Sequence, residues 1–179
     1  PDFELVAQPS DWIAQVRALR GGGSGDGELS ALRSAQLSFW NRYLDYLRQD
    51  HPTLTNVRKP QVQNWLTLNF VRGLGIAAVF ASDGTIRCEI YIDVGDGEKN
   101  MRIFSALKER QPEIEAGIGE SLFWDRLEGR RACRISISTP GSPLGDDTDT
   151  LIRWLGERHL KFHRVIVPMI RILPDELWK

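Results

Sequence analysis

Residues 76–94 read IAAVFASDGTIRCEIYIDV, and this stretch decides the fold. An apolar run, Ile76 to Phe80, meets a second run, Ile86 to Val94, across Ser82-Asp83-Gly84-Thr85. Asp-Gly supplies the positive φ angles that a tight hairpin turn demands, so the two runs are antiparallel neighbours. In the second run Ile86, Cys88, Ile90, Ile92 and Val94 fall on one face, and Arg87, Glu89, Tyr91 and Asp93 fall on the other. That period of two marks a half-buried sheet with one apolar and one polar face.

Upstream, Trp65 to Val71 begins to alternate, and Gly73-Leu74-Gly75 reads as the turn that joins it to the next strand. Before it, Leu29, Leu32, Phe39, Trp40, Tyr43, Leu44 and Leu47 recur at helical spacing, which predicts a helix over Leu29 to Arg48 burying one face. Downstream, Asn100 is placed to cap a helix through Met101, Phe104 and Leu107. Pro112 kinks that helix or opens another turn, which Gly117 and Gly119 stop. A second hairpin, Leu122 to Leu127 and Ala132 to Thr139, turns at Glu128-Gly129-Arg130-Arg131. A last helix starts at Asp147 or Thr148 and is bent or ended near Pro168. Strands that come in hairpins predict an α+β fold, a mostly antiparallel five-stranded sheet with helices packed on one face.

The start of the chain reads differently. Phe3 to Ala7 is a candidate strand, and Ser10 is a candidate cap for an amphipathic turn through Ile13, Val16 and Leu19. Seven residues of which five are glycine, Gly21 to Gly27, follow as a linker. The expected organisation is a tail of a preceding domain over 1–20, a glycine-rich linker over 21–28 and the α+β module over 29–179. Pro1 then reads as an internal residue of a longer protein.

With 179 residues and 41% hydrophobic content, the chain can bury one sizeable core. Its 23 Lys and Arg balance 24 Asp and Glu, which removes any global basic field, so nucleic-acid binding would need a local patch. Arg126, Arg130, Arg131 and Arg134 cluster about the second hairpin and are the candidate phosphate contacts; Arg153, Arg158, Lys161 and Arg164 line the last helix. Interleaved Asp125, Glu128 and Glu157 can neutralise both sets. Glu89 and Asp93 lie four apart on one strand and could share a divalent metal, but a nuclease-type site would also call for a Lys that this spacing lacks. The pair reads as part of a solvated sheet face with cross-strand ion pairs.

His159 and His163 have zinc-sharing spacing without the flanking Glu of the zinc-protease motif, and they read as a surface pair. Cys88 and Cys133 read as small core residues, and the tryptophans as core or interface residues before stacking platforms. No cofactor is called for.

Several landmarks together carry a resemblance: Phe3-Glu4-Leu5-Val6 with Pro9 and Trp12, Gln36 to Trp40, Asn100 through Phe104 and Leu107, Ile114-Glu115, Gly119 to Trp124, and Trp154. From about Leu29 onward the chain resembles domain of unknown function 4268. The resemblance implies a bacterial, cytoplasmic protein in which this module follows a domain similar to the PD-(D/E)XK nucleases. That domain, within the same chain, is the implied partner, and no catalytic residue carries over. The expected function is a non-catalytic module that binds nucleic acid or a protein partner. A metal-dependent nuclease using Glu89 and Asp93 is one alternative, and a homodimerisation module is the other; no membrane is expected as partner.

Overall fold

The turn at Asp83-Gly84 forms as the dipeptide requires. Gly84 sits at φ 79°, and the Asp83 carboxylate accepts hydrogen bonds from the Thr85 N–H at 3.1 Å and the Thr85 hydroxyl at 2.6 Å. In the computed structural model, which describes residues 25–179, this turn joins two central strands of a five-stranded sheet. The strands are β1 (Trp65–Val71), β2 (Leu74–Phe80), β3 (Thr85–Ile92), β4 (Phe123–Asp125) and β5 (Cys133–Pro140), in the order β1-β2-β3-β5-β4. Every neighbouring pair is antiparallel. Arg72 and Gly73 both take positive φ, 50° and 86°, and close the β1–β2 turn directly.

The helices are α1 (Gly25–Asp50), α2 (Gly97–Lys108), α3 (Gln111–Ile118) and α4 (Thr148–Arg171), with a 3₁₀ turn over Asp175–Trp178. One cluster holds the core. From α1 come Phe39, Trp40, Tyr43, Leu44 and Leu47, and from α4 Leu155, Phe162, Ile166 and Ile170. These meet the sheet at Ile76, Ile86, Cys88, Ile90, Ile92 and Ile135. Among the described residues the helices therefore pack on the apolar sheet face, giving the α+β layer that strand pairing predicts. Both cysteines are buried free thiols in that core. No described helix is long and apolar enough to cross a membrane.

Boundaries differ from the sequence reading in several places. Helix α1 begins at Gly25, so its first turn takes in Gly25 to Glu28, which fell to the linker. The candidate strand and helix before Arg20 and the rest of the linker lie outside the described residues. Asp96, not Asn100, caps α2, accepting from the Glu98 and Lys99 N–H groups. Asn100 is buried inside the first turn, where its side chain is engaged across the fold. Of the two readings of Pro112, opening a further turn holds: it lies at the start of the separate helix α3, which runs through Gly117 and is stopped by Gly119 at φ 76°. Finally, α4 runs through Pro168 to Arg171 and keeps the proline inside the helix.

Close helix packing has one specific requirement. A Cβ on Gly156 of α4 would come within 2.4 Å of Tyr46 Cε1 on α1, so only glycine allows the two helices their observed approach.

Candidate nucleic-acid interface

The polar sheet face carries no described helix, and register fixes which side chains share it. Ala77, Glu89, Ser136 and Phe123 form one cross-strand row, and Tyr91, Arg134 and Asp125 form the next. Arg87 lies two residues before Glu89 on the same face. Its Nε sits 3.2 Å from Glu89 Oε2, and Arg134 Nη1 sits 3.9 Å from the same oxygen. Arg134 Nη2 also bonds Asp125 Oδ2 at 2.7 Å.

Cross-strand ion pairs thus form as expected, but the face is not solvated at its centre: Glu89 is 6% exposed. Burial pushes its carboxyl above the ordinary glutamate range, against the pull of Arg87 and Arg134. The two arginine stems flank it and take the place of water. Burial also raises the Tyr91 hydroxyl, with Asp93 acting in the same direction.

The metal reading fits these residues poorly. Asp93 lies past the end of β3, gripped by Arg131 Nε at 2.9 and 3.1 Å, by the Gly95 N–H at 3.0 Å and by Asn100 Nδ2 at 3.3 Å. Glu89 faces two guanidinium groups of its own. A divalent cation would have to enter beside positive charge at either carboxylate. Among the described residues no group of three or more His, Cys, Asp or Glu is arranged to hold a metal ion.

The histidines at helical spacing part company. His159 is 1% exposed and its Nδ1 lies 2.7 Å from the Tyr43 hydroxyl in the core, so the surface-pair reading is corrected for this residue. The correction follows from helix phase, since His159 shares the buried stripe of α4 with Leu155 and Phe162. Its Nε2 has no partner in bonding geometry, although the Ile76 carbonyl lies in its direction. Burial holds its pKa down at about 3. His163 is half-buried, and burial lowers its pKa too.

Of the four hairpin arginines, the fold brings three out together. Arg126, Arg130 and Arg131 are exposed on the β4–β5 connection, which Leu127 at φ 50° and Gly129 at φ 77° bend back. The Arg130 N–H closes the turn on the Leu127 carbonyl at 2.9 Å. Arg134 instead is half-buried in the sheet-face network. On α4, Arg158 and Lys161 both grip Glu120, at 2.9 and 3.0 Å. Burial opposes ionisation of that carboxyl, but the two cations outweigh it and hold its pKa low.

Most tryptophans are already occupied. Trp40 is buried, with its ring N–H on the Gln63 carbonyl at 2.8 Å. Lys108, Arg158 and Arg72 stand over the rings of Trp124, Trp154 and Trp178, at 4.9, 4.9 and 4.3 Å. Among the residues whose burial is described, the aromatic left outward is Phe123, 65% exposed on β4. Sequence reasoning passed over it. The signal was its place between Leu122 and Trp124, both turned to the core, which in a strand turns Phe123 the other way.

The family model described as Domain of unknown function (DUF4268) matches residues 35–170. The matched span takes in α1 from Ala35 onward, all five strands and nearly all of α4. Searches of the curated proteins and of the solved structures each returned no match.

Proposed function

Because the chain belongs to the DUF4268 family, whose matched span contains the whole sheet, we propose that it works as a non-catalytic nucleic-acid-binding module. The β4–β5 hairpin is its point of contact. One observation carries the reading: Arg126 and Arg130 stand exposed within five residues of chain on the β4–β5 turn, followed by Arg131, which is paired with Asp93. Guanidinium groups held that way can reach neighbouring phosphates without ordering the rest of the domain. In this reading the module serves a nuclease-like domain of the same bacterial, cytoplasmic protein by holding the strand on which that domain acts.

A nuclease centred on Glu89 and Asp93 is the less supported reading, since arginines engage both carboxylates. The test is fluorescence anisotropy with labelled DNA and RNA across a salt series. Affinity should be weak, tolerant of sequence and steeply salt-dependent. Replacing Arg126 and Arg130 together by Ala should reduce the slope of log K against log salt by about 1.4 to 2 units, if each contacts a phosphate. Thermal stability should stay within about 0.5 kcal/mol of the parent, because both side chains are at the surface. No binding at about 50 mM salt, where electrostatic association is strongest, would replace this reading with a protein-partner module.

A further inference from the structure

Building on the nucleic-acid reading, we infer that the ligand is single-stranded, and that Phe123 stacks on one of its bases while the strand crosses the sheet face opposite the described helices towards Tyr91. Phe123 is a large apolar ring at 65% exposure on the edge strand, and its neighbours across β5 and β3 are Ser136 and Glu89. Nothing among these neighbours calls for an outward phenyl ring. An exposed aromatic beside phosphate-seeking arginines is the pairing that a splayed base and its backbone require.

Register gives the path. Phe123 and Tyr91 are on the same face, two strands and one two-residue step apart. Strand spacing of about 4.8 Å and a rise of about 3.3 Å per residue put them roughly 12 Å apart, a gap that a few extended nucleotides bridge. Arg134 lies between them, directly opposite Tyr91, and Asp125 holds its Nη2 at 2.7 Å. The Arg134 side chain keeps 17% of its surface exposed there, and a guanidinium can pack on an unpaired base, a contact closed to bases stacked in a duplex. Arg126 and Arg130 follow Phe123 along the chain and supply the backbone contacts.

The contacted chemistry, a base face and a phosphate, is common to DNA and RNA. The test therefore measures anisotropy of the full chain with labelled oligo-dT, oligo-U and a duplex of equal length at about 50 mM salt. The single strands should bind more tightly than the duplex. Phe123→Leu should weaken single-strand binding by about tenfold without changing the salt slope, and Phe123→Tyr should restore it. Position 123 is on the surface, so the melting temperature reports any loss that comes from folding instead. If no nucleic acid binds, the nucleic-acid reading fails and this inference falls with it. If duplex and single strand bind alike and Phe123→Leu matches the parent, the hairpin reading stands and base stacking is refuted. Different affinities for oligo-dT and oligo-U would show which sugar is preferred; equal ones would confine recognition to base and phosphate.

Discussion

His159 shows how one buried side chain sets the acid tolerance of the fold. Its pKa is held at about 3 when folded, against an ordinary value of 6.5. The unfolded chain therefore takes up a proton as pH falls through 6.5, and the folded chain does not until about 3. Stability is complete above the unfolded value and declines below it, by up to about 1.4 kcal/mol per pH unit, or roughly 2 to 3 kcal/mol by pH 4.5. Glu89, raised by burial, acts in the opposite direction in a window that begins near its ordinary 4.5. A Tyr43→Phe/His159→Leu variant isolates the histidine. Denaturation from pH 7 to 4.5 should show the parent losing this increment relative to the variant, and parallel curves would disprove it. Gly156 makes a steric case at the same scale. Gly156→Ala gains helix propensity of about 1 kcal/mol, yet its Cβ would press into Tyr46, and overpacking of this kind costs about 1 to 3 kcal/mol. The net loss, read from the urea midpoint, should disappear when Tyr46→Ala is added.

Among the elements, the α2 entrance shows how three segments are pinned at one point. Asn100 accepts from the Val94 N–H at 2.8 Å and donates to the Arg131 carbonyl at 3.0 Å, joining the end of β3, the start of α2 and the approach to β5. Asn100→Ala should cost about 3 kcal/mol, because it leaves a buried donor and acceptor unpartnered. A urea series with an unchanged m-value would verify this, and a loss below about 1 kcal/mol would show that water replaces the amide. The same residue marks the limit of sequence reading. Asn is a common cap, and local pattern placed Asn100 there, but Asp96 stands where its carboxylate reaches the Glu98 and Lys99 N–H groups. The hairpins were legible because Asp83-Gly84 and Glu128-Gly129 fix turn geometry locally, and α1 was legible from apolar spacing. What was not legible depends on pairing between distant strands. Burial of Glu89 requires Arg134 from β5, whereas the phases of Phe123 between Leu122 and Trp124 and of His159 between Leu155 and Phe162 were present in the sequence.

At the scale of the whole molecule, net charge of −1 means that no overall field steers an anionic ligand, so recognition has to be local and short-ranged. The layer arrangement supplies that locality. The described helices occupy one sheet face, and the other holds Arg87 and Arg134 in carboxylate pairs, with the hairpin arginines on the β4–β5 connection. Counting the charges about this face, Arg87, Arg126, Arg130, Arg131 and Arg134 exceed Glu89, Asp93, Asp125 and Glu128 by a single unit. The proposed nucleic-acid contact is therefore expected to be weak. The central claim is best tested by backbone amide chemical shifts of the isotopically labelled chain, titrated with a short single-stranded oligonucleotide at about 50 mM salt. The account predicts that perturbations concentrate from Phe123 to Arg134 and at Tyr91, while the α1 and α4 amides stay in place. Perturbations centred on the helical layer, or none at millimolar ligand, would contradict it.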